Sequence, residues 1–180
     1  MDQKVIAALL QTALGLTALG CGAAFSQRSA VPDLLQVGAG RVLALQARAS
    51  GVQIYTCSAS ADASRYGWTL KAPQADLFDG SGRRIGRHYA GPTWEAADGS
   101  TVGGAVKARA DAPSADAIPW LLLNATSNGG AGVFAHVTDI QRIDTSGGGA
   151  PHDAPCDDTR AGSERRMPYS ATYLFYTAGS

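Results

Sequence analysis

The chain has 180 residues, 15 basic and 15 acidic, for a formal net charge of zero. That balance offers no basic face for nucleic acid, and the length suits one domain behind a short leader. Charged residues make up only 17% of the chain, and Ala, Gly, Ser and Thr fill the deficit, so the surface is mild and built of small side chains.

Residues 1–26 read as a signal peptide. Residues 5–19 are mostly apolar, broken by Gln11, Thr12 and Thr17. The run is long enough for the apolar part of a leader and short for a membrane span. Gly22 and Ala24, or Ala24 and Ser26, supply the small-x-small spacing of a cleavage point. Lys4 is offset by Asp2, so the positive end is weak, and the competing reading is an amphipathic helix that stays attached. Ala18-Leu19-Gly20-Cys21 resembles a lipoprotein signal, although Leu19 stands two positions before the cysteine where three is the better form. The expected location is therefore secreted or periplasmic, with membrane contact only if Cys21 is lipidated. Once Cys21 leaves with the leader, Cys57 and Cys156 remain. In an oxidising compartment this even pair suggests one disulfide across about a hundred residues; two buried thiols are the alternative. No C-x-x-C pair supports zinc.

Residues 27–40 read as an N-terminal arm, punctuated by Pro32, Gly38 and Gly40, with Leu34, Leu35 and Val37 available to lay it on the core. From residue 41 to 180 the pattern is strand. Residues 42–47 and 52–57 are runs separated by Ser50-Gly51. The second alternates, with Val52, Ile54 and Thr56 on one face and Gln53, Tyr55 and Cys57 on the other. Residues 66–71 follow, Trp68 and Leu70 in phase, and Pro73 ends them. Residues 75–79 and 85–90 form a hairpin across Asp79-Gly80-Ser81-Gly82. Residues 94–96 and 101–109 form another across Asp98-Gly99-Ser100. After a loop at 111–116, residues 118–123 are the most apolar run and read as a central strand. Residues 124–132 are a glycine-rich turn. In 133–143, Phe134, Val137 and Ile140 have helical spacing while Thr138, Ile140 and Arg142 alternate; the Val, Thr and Ile content favours strand. Residues 145–162 are a long loop that a disulfide at Cys156 would pin. Tyr169, Ala171, Tyr173 and Phe175 share one face of a closing strand. The sum is an all-β, single-domain antiparallel barrel or sandwich of about 8–10 short strands, with no βαβ rhythm.

GVQIYTC, HYAGPTWE, ADGSTVGG, AIPWLLLNA, VTDIQRIDTSGG, the AP before Cys156 and the closing MPYSATYLFY together resemble a secreted bacterial and fungal family, domain of unknown function 3455. The resemblance runs from about Pro32 to Tyr176. It implies export and a single domain, and no activity. A malate dehydrogenase label carried by some fungal relatives gains no support here. Gly38-Ala39-Gly40 lacks the third glycine of a dinucleotide fingerprint and no βαβ unit surrounds it, so NAD is not expected.

The densest set of reactive or binding groups is His88, Tyr89, Trp94 and Glu95, around the turn at residues 90–93. A carboxylate beside an imidazole orients its tautomer and raises its pKa, so His88 and Glu95 are the candidate acid–base pair. The alternative is that they only brace a tight turn. Tyr89, Trp94, Trp68 and Trp120 are candidate ligand-binding residues, with Tyr55, Tyr173 and Phe175 as further aromatics for a pocket; the bland reading is that all are core. His136 and His152 are too scattered to ligate a metal with His88 unless tertiary folding brings them together. No Gly-x-Ser-x-Gly elbow is present, and no cofactor is expected. Three functions follow. The first is a module binding a small apolar or amphipathic ligand, or a glycan, near His88–Glu95. The second is an extracellular enzyme using His88 and Glu95. The third is a structural envelope or surface protein without a pocket.

Overall fold

The computed structural model describes residues 30–62 and 64–179; the expected signal peptide, with Cys21, lies outside them. Eight strands follow in order: β1 (Arg41–Ala59), β2 (Tyr66–Phe78), β3 (Arg84–Tyr89), β4 (Thr93–Ala96), β5 (Thr101–Ala110), β6 (Trp120–Gly129), β7 (Val137–Gly147) and β8 (Glu164–Ala178). Each pairs antiparallel with the next, and β8 returns to β1, so one up-and-down sheet closes into a ring. The described residues include no α-helix, only two 3₁₀ turns at Asp33–Leu35 and Asp158–Arg160. Of barrel and sandwich, closure is what the chain adopts. The ring is irregular, because β1 has 19 residues and β4 has 4.

The eight strands fall within the expected 8–10, but several are longer than the turn signals predict. β1 runs unbroken through Ser50-Gly51. Gly51 is a point of close approach: a Cβ there would stand 2.1 Å from the Gln74 carbonyl oxygen and 2.4 Å from Ala75 Cα. The glycine lets β2 pass close to β1 instead of ending the strand. β2 likewise continues through Pro73, on a stretch with no β3 partner, where a sheet edge tolerates proline. β6 extends to Gly129, through residues read as a turn. Both Asp-Gly hairpin turns form. The Asp79 carboxylate accepts from Ser81 N at 2.9 Å, and the Asp98 carboxylate from Ser100 N at 2.8 Å.

Alternation sorts the side chains into two cores. The inner one holds Ala47, Ala49, Leu77, Trp94, Val102, Leu121, Leu123, Ile140, Tyr173 and Phe175. The outer one lies on β6, β7 and β8, where Trp120, Leu122, Ile143 and Leu174 are covered by the N-terminal arm through Val31, Leu35 and Val37. Gln141 Nε2 donates to the Leu35 carbonyl at 2.6 Å and fixes the arm in place. This explains why residues 118–123 are apolar throughout: Leu121 and Leu123 fill the ring while Trp120 and Leu122 lie under the arm.

One end of the ring is plugged. Val133 N donates to Asp98 at 2.9 Å and Phe134 N to Ser100 Oγ at 3.1 Å, across from the β6–β7 loop to the β4–β5 turn. The fully buried Phe134 ring then packs on Phe175, centroids 4.6 Å apart. At the other end two loops are joined to the rim. Ile118 N donates to Gly147 O at 2.9 Å, and the Tyr55 hydroxyl to Gly148 O at 2.8 Å. The loop after β7 is held to β1 by the Cys57–Cys156 disulfide, with Cα atoms 5.5 Å apart, within the bridging range. Trp68 Nε1 donates to Ala154 O in the same loop at 3.0 Å.

Candidate functional site

β3 and β4 are short, and that opens the ring. β3 pairs with β2 only from Ala75 to Phe78, and β4 with β5 only from Thr101 to Gly103. Above the β3–β4 turn, β2 and β5 continue with no strand between them. The notch leads into a cavity of about 640 Å³ whose walls take a residue from every strand of the ring. Its rim carries Leu70 and Val106, 50% and 56% exposed despite being apolar. Its walls are Trp94, Leu121, Leu123 and Pro92, and its polar groups are Gln53, Tyr55, His88, Arg142 and Tyr173. Gly104 makes room for this arrangement: a Cβ there would come within 3.1 Å of the Trp94 ring.

His88 lies inside, 2% exposed, opposite Trp94 in the β3–β4 register. The two rings stack with centroids 4.4 Å apart, and Tyr173 meets the His88 ring edge-on at 5.2 Å. His88 Nδ1 sits 2.8 Å from the Thr93 carbonyl; a carbonyl can only accept, so Nδ1 carries the proton and Nε2 the lone pair. Burial is the largest influence on this imidazole and outweighs the Thr93 contact; with the Arg142 charge acting in the same direction, its pKa falls to about 3.

Glu95 is on the other face of the sheet. Its register partner is Arg87, one residue before His88, so the strand alternation puts the two candidate acid–base residues on opposite sides. The expected His88–Glu95 pair does not form. Glu95 instead accepts from Arg87 Nη2 at 2.9 and 2.8 Å and from the Tyr89 hydroxyl at 3.0 Å. These bonds, Arg87 first and then Tyr89, hold its pKa below the usual carboxylate range. Arg87 also lies over the Tyr89 ring at 5.3 Å. Tyr89 therefore belongs to an exposed outer cluster rather than to the cavity.

The other aromatic candidates divide similarly. Trp94 lines the cavity. Trp120 is on the outer face beneath the arm, in phase with Leu122 and not with Leu121. Trp68 shares a register pair with Cys57 and is spent on the disulfide loop. His136 and His152 are exposed, and no cluster among the described residues gathers three potential metal ligands.

Two residues of the cavity are missing from the sequence reading, Gln53 and Arg142. Both were visible as alternation. Gln53 is in phase with Tyr55 and Cys57, and Arg142 with Ile140, so each places a polar head on a buried face. Arg142 Nε and Nη2 donate to the Pro119 carbonyl at 3.1 and 2.9 Å. Its charge acts on Tyr55, His88, Tyr169 and Tyr173 together, which places it at the centre of the polar groups. The Tyr173 and Tyr169 phenols are pushed up chiefly by burial.

A second groove, about 670 Å³, runs along the outer face of β1, β2 and β3. Its arginines are already engaged: Arg84 with Asp76, Arg87 with Glu95 and Arg166 with the Gln74 side chain. The ring interior is the better candidate, because its polar groups are not all satisfied.

No curated protein matches the chain. The family model described as a protein of unknown function (DUF3455) matches residues 38–177, from the end of the arm through the closing strand, and the chain belongs to that family.

Proposed function

We propose that this protein is an exported binder of a small amphipathic molecule, held inside the ring against Trp94 and His88. The observation that carries the reading is a cavity of about 640 Å³ that the side chains of eight strands surround but do not fill. Its size is that of ordinary ligand sites, and a mostly apolar wall with a few convergent polar groups is their usual make-up. The aliphatic wall of Leu121, Leu123 and Val106 favours an apolar or amphipathic ligand over a glycan. Export is supported by the leader-like sequence and by the disulfide, which persists in oxidising compartments.

Binding is favoured over acid–base catalysis. His88 lacks a carboxylate partner, its proton is committed to Thr93, and its depressed pKa makes it a poor base near neutrality. A surface protein without a pocket accounts for neither the notch nor the cavity. The test is titration with the neutral fluorophore N-phenyl-1-naphthylamine, read by probe emission and by quenching of tryptophan. One-to-one binding that Trp94→Leu weakens is expected. Absence of binding, together with native mass spectra showing no carried molecule in protein from its own host, would sink the reading.

A further inference from the structure

We propose that the ligand is an organic anion, a carboxylate on an apolar body, with its head seated between Arg142, Gln53 and Tyr173 and its body lying toward Leu70 and Val106. The inference rests on the binding reading above and names its ligand class.

The first argument is the balance of donors and acceptors. Gln53 Nε2 and Trp94 Nε1 are buried without a hydrogen-bond partner, and both side chains line the cavity; the Tyr173 hydroxyl, beside the Tyr169 hydroxyl and the Arg142 guanidinium, makes no well-aligned hydrogen bond to either. Gln53 and Tyr173 are each 1% exposed. An amide nitrogen and an indole N–H can only donate, and a guanidinium has no acceptor at all. Leaving such groups unmatched costs on the order of 1–3 kcal/mol each. Folded proteins rarely tolerate that unless water or a ligand supplies the acceptor. Arg142 spends Nε and one Nη2 bond on a backbone carbonyl and also lies against the Tyr173 hydroxyl, and the rest of its fork remains for a second partner.

The second argument is charge. No Asp or Glu lines the cavity, while Arg142, Lys71 and Arg109 do. Lys71 is paired outward with Glu164. Among the described residues no carboxylate forms an ion pair with Arg142. Arg142 is half-buried, and a partly desolvated cation without a counter-charge gains from an anion that joins it; Arg suits a carboxylate because its planar fork can donate twice. The third argument is shape. The apolar rim residues stand at the notch on β2 and β5, while Arg142 is on β7, with β6 between it and β5, so a bound molecule with one charged end would have its apolar end at the mouth.

Calorimetric titration of the full chain, disulfide intact, with decanoate, 2-naphthoate, decan-1-ol and decyltrimethylammonium tests this. Decanoate or 2-naphthoate should bind at least about ten-fold tighter than decan-1-ol, the scale of a charge-assisted hydrogen bond. Which of the two is tighter tells a flexible body from a flat aromatic one. Arg142→Met should weaken the carboxylates far more than decan-1-ol and so collapse the preference, while Arg142→Lys should keep part of it. Arg142 also holds Pro119, so Gln53→Leu serves as a variant outside that anchor and should weaken the carboxylates more than decan-1-ol. Decan-1-ol or the ammonium binding as tightly as the carboxylates would overturn the head-group assignment and leave the cavity reading standing. If no decyl compound, no naphthoate and no N-phenyl-1-naphthylamine binds, both fall.

Discussion

His88 lies flat on Trp94, the ring planes 8° apart, with its Nδ1–H tied to the Thr93 carbonyl. The contact joins the two shortest strands of the ring, β3 and β4, and both rings line the cavity on that side. It also makes His88 a neutral, buried group. A histidine whose folded pKa drops to about 3 from the ordinary 6.5 binds its proton more readily when unfolded. Its contribution to stability is complete above pH 6.5 and is lost as the pH falls from there toward 3. His88→Phe keeps a flat ring on Trp94 and removes the titration. Stability measured by urea unfolding should therefore fall less between pH 7 and pH 4 for His88→Phe than for the natural chain. Parallel pH profiles for the two would contradict this.

His88→Ala should be costly at neutral pH. It empties a packed position and strands the Thr93 carbonyl, and by analogy with other large-to-small core changes the loss is about 2–4 kcal/mol. Glu95→Gln should behave differently. Glu95 sits on the outer face with Arg87 at the solvent-exposed surface, where an ion pair adds little to stability. It should leave N-phenyl-1-naphthylamine affinity unchanged. A loss of probe binding in Glu95→Gln would mean that the site is outside the ring after all.

Joint replacement of Cys57 and Cys156 by Ser tests the loop after β7. The bridge spans 99 residues, for which the chain-entropy model gives about 4–5 kcal/mol of stabilisation. The loop would then keep the Trp68 and Tyr55 hydrogen bonds, the bond from Gly149 N to the Asp116 carbonyl and its backbone contacts to β1. The expected outcome is a lower melting temperature and new proteolytic cleavage confined to residues 149–163. Cleavage elsewhere, or an unchanged melting temperature, would show that the bridge is not what holds this end of the ring.

The strand class, both Asp-Gly hairpins and the disulfide were legible because each has a local or compositional signal. The acid–base pair was misjudged for a geometric reason. His88 and Glu95 are neighbours across the turn, but in a hairpin the register decides the face, and His88 pairs with Trp94 while Glu95 pairs with Arg87. Trp120 was misplaced because a strand apolar on both faces hides its phase; only the covering arm shows which side is which. The short β4 beside the long β5 is legible in the hairpin bounds, but the run of β2 past the end of β3 is hidden by Pro73. The notch arises from the difference in length between β3–β4 and their neighbours, a property of pairing rather than of any residue.

Two adjacent leucines in the arm give the sharpest test of that outer core. Leu35 is fully buried on Trp120 and Leu122, while Leu34 is 55% exposed. Leu35→Ala should cost about 2–5 kcal/mol, the usual range for emptying a packed leucine site. It also loosens the backbone carbonyl that receives Gln141, so Trp120 should gain solvent and its emission should move to the red. Leu34→Ala should change stability by no more than about 0.5 kcal/mol. Neither change touches the ring interior, so probe binding should survive both wherever the protein remains folded. Equal effects at the two positions would mean that the arm does not rest on β6 and β7 through Leu35. Loss of binding in folded Leu35→Ala would mean that the outer core and the cavity are coupled, which the separation of the two clusters by the sheet itself argues against.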